Sequence, residues 1–191
     1  MAKTPTRRTT SRSCAPMNRE AITLEHVTAR APSAGQAEKI SARFALDPVD
    51  HPAIREATEE MVGRAARSLV PNVNETAMRI HLQRIVGAFV LSADLVATFY
   101  GERVTAASDI ASDRANDHRD ADRNAIYRFE SKLARAQDFA AQAGLASFAL
   151  LAAAEGAVHA YAAITGDEWK PYVASTNVSR EANAARMEAF D

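Results

Sequence analysis

Glu155 and His159 stand four residues apart inside the run LASFALLAAAEGAVHAYAAI, Leu145 to Ile164, where they are the only carboxylate and imidazole. In a helix that spacing puts both on one face, one turn apart. An ionised carboxylate in apolar surroundings is costly unless something pairs with it. Carboxylates and imidazoles offered by facing helices can also hold a hard or borderline divalent ion. Asp94 and His81, in the preceding apolar segment, are the side chains that would complete such a set. Di-iron carboxylate bundles place Glu-x-x-His on two helices; here the spacing is one residue longer and the pair occurs once. Asp94, Glu155 and His159 are therefore the metal candidates, but the sequence favours a structural pair, Glu155 or Asp94 with His159, and predicts no cofactor. Such a pair satisfies buried polar groups and fixes helix register.

A second constellation is Asp109, Asp113, Asp117 and Asp120, which line one helix face. Aspartates at such spacings can hold magnesium against phosphates, with Glu56 and Glu59 as conceivable partners. Arg114, Arg119 and Arg123 interleave with them, and the segment is too polar to line a closed pocket, so a solvated face is the expected reading. The third is the basic start: Lys3, Arg7, Arg8, Arg12 and Arg19 precede the first acid, Glu20. Such an arm can neutralise a few phosphates, giving salt-sensitive, non-specific nucleic-acid binding. No aromatic residue is interleaved to stack on bases. Serine-nucleophile, phosphate-loop and dinucleotide-loop motifs are missing from the sequence.

The elements that must position these residues are helical. Hydrophobic residues are 47% of the 191, yet aromatics only 6%, and alanine supplies much of the difference. Alanine is the strongest helix former and a poor strand residue, and alternation at period two is nearly absent. The expected fold is all-α: an antiparallel up-and-down bundle of about four long helices, preceded by a short helix, with disordered termini. Residues 1–19 are expected to be a disordered basic arm, 20–48 a short helix and connector, 49–174 the bundle and 175–191 a flexible tail. Ser33 and Gln36 form a capping-box pattern, and Asp50 and Asn74 are N-cap residues. The four principal helices are expected at 53–70, 74–100, 103–143 and 145–165, with Gly101 and Gly144 as separators. Within 103–143 the charged stretch SDRANDHRDADRN implies either a solvated helix reaching beyond the bundle or an interruption near Asn116. Trp169 and Tyr172 are expected to fold back over the bundle's end.

The segment 145–164 is long enough to span a membrane. Glu155 at its middle, a low yield from alanine and no positive-inside asymmetry argue instead for a central, nearly all-round apolar bundle helix. The small residues Ala149, Ala152, Ala153, Gly156, Ala160 and Ala163 on one face admit a close neighbour. A net charge of −1 gives no strong field for nucleic acid or anionic membrane. The lone Cys14 provides no disulfide framework, and the basic start has no apolar stretch of a secretory signal, so a cytoplasmic protein is expected. Function is expected to be non-enzymatic: a helical interaction or assembly module binding a protein partner, or itself, through the long charged helix. The alternatives are a nucleic-acid accessory protein using the arm and a carboxylate/His metalloenzyme.

Overall fold

The computed structural model describes residues 22–70, 73–117 and 122–171, the side chains of 114–117 excepted. Every regular element among them is an α-helix: α1 (Leu24–Arg30), α2 (Ala34–Phe44), α3 (His51–Leu69), α4 (Glu75–Asp117) and α5 (Arg123–Thr165). Their starts are written locally. Thr23 caps α1, and Ser33 and Gln36 exchange side-chain and backbone bonds in a complete capping box on α2. Asp50 accepts from Ala53 N at 3.1 Å on α3, and Asn74 accepts from Ala77 N at 2.8 Å on α4. Each satisfies one backbone donor that a helix start leaves without an intrahelical partner. Gly166 ends α5 in the left-handed conformation, φ 74°, its N–H bonded to the Ala162 carbonyl.

Three expectations are corrected. The region before Pro48 forms two short helices rather than one. The segments 74–100, 103–143 and 145–165 are not three helices but two, each of 43 residues and so about 65 Å long. Gly101 and Gly144 lie inside them; a helical glycine costs only about 1 kcal/mol relative to alanine, less than the packing along an apolar stripe returns. A new helix begins instead within the charged stretch, at Arg123, with Asp122 as its N-cap. Asn116 itself is helical, and the helices on either side of the stretch reach past the core with exposed side chains.

The core gathers along one half of each long helix. Leu82, Val86, Val90 and Ala93 of α4 meet Leu151, Ala154, Ala157, Ala160 and Tyr161 of α5. Val27 of α1 and Val62 and Ala66 of α3 close over them. Fifteen residues of α5 are buried, all between Ala140 and Thr165, which makes this the most enclosed helix, as its composition predicts. Small side chains let backbones approach: at Gly144 an added Cβ would meet the Tyr100 ring at 2.9 Å. Trp169 folds back into the same core, 8% exposed; Tyr172 and the tail 175–191 lie outside the described residues.

The face that α3 turns inward carries short side chains. Thr58, Val62 and Ala66 are buried, whereas Met61 is 46% exposed. A backbone crossing as close as that of α3 over α5 leaves room for short side chains on the contact line and turns the long one aside.

Candidate functional site

Glu155 projects from α5 toward the first turn of α3, where His51 Nε2 lies 3.3 Å from its Oε2. The His51 ring also leans on Phe148, with centroids 4.9 Å apart. Two turns further along α3, Glu59 Oε1 stands 3.1 Å from His159 Nδ1 and 3.6 Å from Arg55 Nε. The two polar residues of the apolar run thus face α3, and each is answered by a complementary group there rather than by the other. The contacts fix both the position of α3 along α5 and its rotation, because a slip of one residue would separate both pairs.

Asp94 is buried on α4, and Arg30 at the end of α1 reaches it with a charge-assisted bond. The structure therefore does not bring Asp94, Glu155 and His159 together: each has its own partner, on α1 or on α3. His81 is exposed. Among the described residues, no three His, Cys, Asp or Glu side chains converge where an ion could be held. Asp109 and Asp113 are exposed, and Glu56 and Glu59 belong to α3, at the other end of the core. The side chains of Asp117 and Asp120 lie outside the described residues, as do Lys3, Arg7, Arg8, Arg12, Arg19 and Cys14. His51, Glu59 and Arg30 as partners have no local signal: each sits on a face that reads as solvated, and only the tertiary contact singles it out.

One end of the long pair is closed by a polar staple. Arg79 near the start of α4 bonds Glu75 on its own helix, Asp167, and, at 3.1 Å, the Thr165 carbonyl at the end of α5. Its pKa is raised further by the bonds to Glu75 and then to Asp167. Gln83 donates to the Lys170 carbonyl at 2.9 Å, tying down the segment that carries Trp169.

The opposite end is bare. From Thr98 to the end of α4, and from Arg123 to Phe139, no residue whose side chain is described is buried. This arm nevertheless displays large apolar groups: Phe99 is 42% exposed, Val104 43%, Tyr127 73% and Phe139 61%. Each helix also presents an outward stripe at helical spacing. On α4 it runs Leu91, Leu95, Phe99, then Glu102, Asp109 and Asp113; on α5 it runs Arg128, Lys132, Arg135, then Phe139, Gln142 and Ala146; all are exposed. A shallow groove of about 310 Å³ lies along the basic part of the second stripe, lined by Tyr127, Arg128, Ser131, Lys132 and Arg135. By length and composition alone, α4 and α5 each contain a window apolar enough to cross a membrane; a third of the α4 window and two-thirds of the α5 window are buried within the protein. Comparison of the chain with protein-family models, with curated proteins and with solved structures finds no match.

Proposed function

We propose that the protein is a non-enzymatic helical interaction and assembly module, with the exposed arm of α4 and α5 as its docking element. We read its frame as an antiparallel, up-and-down arrangement in which α4 and α5 form a long hairpin. That reading is supported by Arg79 at the start of α4 meeting Thr165 at the end of α5, with Tyr100 beside Gly144 midway. The observation that carries the functional reading is the bare arm: about 30 Å of paired helix with no buried side chain among those described, and four large, largely exposed apolar side chains. Large exposed apolar side chains concentrated on one arm of a folded domain support an interaction site there. The docking surface is thus shared by the end of α4 and the start of α5, not borne by a separate charged helix.

The test is retention of a protein partner, either another protein or a second copy, by the full chain at low micromolar concentration. Val104→Glu with Phe139→Glu should abolish it, with helix content and melting temperature unchanged, because neither side chain is buried. A wild-type chain that stays monomeric and retains no protein would defeat the reading.

A further inference from the structure

We infer that the occupant of the bare arm is a second copy of this chain, packed about a two-fold axis running along the hairpin. This rests on the assembly reading above. Between Glu102 and Asp117, α4 carries Glu102, Asp109, Asp113 and Asp117 against Arg103 and Arg114; between Arg123 and Asp138, α5 carries Arg123, Arg128, Lys132 and Arg135 against Glu130 and Asp138. One helix of the arm is acidic and the other basic. None of Asp109, Asp113, Arg128, Lys132 and Arg135 has an ion-pair partner among the described residues. Among the described residues, nothing answers these charges.

A two-fold axis along the hairpin sets α4 of each copy beside α5 of the other. The register fixed by Arg79 with Thr165 and Tyr100 with Gly144 then makes Asp109 level with Arg135, and Asp113 level with the gap between Arg128 and Lys132. Toward the core the apolar ends of the two stripes follow: Phe139 of the second copy is level with Thr105, six residues or about 9 Å along the axis from Phe99, so the two rings border the same stretch of the seam. The same operation makes both contacts twice, as an isologous interface requires. Arm faces about 30 Å long and two helix diameters of about 10 Å wide supply roughly 600 Å² per copy. That is about 1,200 Å² in total, at the lower edge of stable interfaces. A bilayer does not fit as well, since six charged side chains of the two stripes would enter or border it.

Light scattering on the full chain, from low to high micromolar, should show twice the chain's mass, and Phe99→Glu with Phe139→Glu should weaken association at least about tenfold. Two charge-reversal variants give the decisive arm. Asp109→Lys with Asp113→Lys places like charges in both contacts of its own homodimer, and so does Arg128→Glu with Lys132→Glu and Arg135→Glu. Each should be monomeric alone, while an equimolar mixture should form a heterodimer, because every acidic stripe then meets a basic one. Helix content of each variant is checked by circular dichroism. Wild-type protein that is monomeric throughout, or reversals that do not restore association when mixed, overturns the second copy. If a monomeric chain still holds a different protein through Val104 and Phe139, the assembly reading stands and only the self-pairing falls. Co-sedimentation with phosphatidylcholine/phosphatidylserine vesicles, lost in Phe99→Glu with Phe139→Glu, would overturn both in favour of a lipid surface.

Discussion

Gly156 of α5 lies directly against the backbone of Arg55 of α3: a Cβ placed on it would come within 2.4 Å of the Arg55 carbonyl oxygen. This contact explains how one apolar helix can host two polar residues. With the backbones that close, Glu155 and His159 flank the crossing, and His51 and Glu59, two turns apart on α3, are within reach of them. The missing side chain sets the distance, and the paired groups set the register.

Gly156→Ala should therefore destabilise the fold by about 1–3 kcal/mol, since α3 backbone rather than a flexible side chain must yield. Gly101→Ala should do the opposite. Nothing lies within 4 Å of a Cβ at Gly101, and removing a glycine from a helix interior stabilises it by about 0.5–1 kcal/mol. Urea unfolding of the two variants checks both signs. A stabilising Gly156→Ala would mean that α3 does not cross there.

Arg30 and Asp94 form the tie between α1 and α4. The carboxylate is almost enclosed, with 10% of its side chain accessible, whereas half of the Arg30 side chain is in solvent. Arg30→Met should cost about 1–3 kcal/mol, because it leaves a buried acceptor without its charged donor. Asp94→Leu combined with Arg30→Met should recover much of that loss, since replacing both partners by apolar groups removes the desolvation penalty. A double mutant as unstable as the single would show that Arg30 acts through its packing and not through its charge.

The helix starts were readable because capping is local: Ser33 with Gln36, Asp50 and Asn74 each act within four residues. The all-helical class was readable from alanine content, and the enclosure of 145–164 from its apolar residues. The interior glycines were not, since whether Gly144 stops a helix or admits the Tyr100 ring depends on a residue distant in sequence. The same holds for the polar pairs. That Glu155, His159 and Asp94 need partners follows from chemistry alone, but the choice of His51, Glu59 and Arg30 is made by helix crossing.

Tyr100 supplies a pH signature for the α4–α5 contact. Partial burial beside Gly144 raises its hydroxyl pKa above the ordinary value of 10.0, because the phenolate is the form that suffers from lost solvent. An acid whose pKa is higher folded than unfolded adds stability that is complete below the unfolded pKa and lost as pH rises through the folded one. Melting temperature should thus decline above pH 10 more steeply in wild type than in Tyr100→Phe. In that variant the tyrosine absorbance titration should lose a component that ionises above the ordinary value. Parallel pH profiles for the two proteins would place Tyr100 outside the contact.

Trp169, the sole tryptophan, reports on the polar staple where Arg79 of α4 meets the end of α5. It sits in the core with Leu82 and Tyr161, beyond the end of α5, and two side chains of α4 hold its segment: Arg79 through Thr165 and Asp167, and Gln83 through Lys170. Removing the indole should be expensive, about 3–5 kcal/mol for Trp169→Ala, as for other large core truncations. Removing the tethers should act differently, because the core contact remains available but is less often made. Arg79→Ala with Gln83→Ala should leave helix content near wild type, while tryptophan emission shifts to the red and acrylamide quenching rises. The effect of Arg79 should also shrink in high salt, since its bonds to Glu75 and Asp167 are at the surface. Unchanged emission and quenching in the double variant would show that apolar packing alone retains Trp169, and that the polar staple closes the helix ends without holding the segment beyond them.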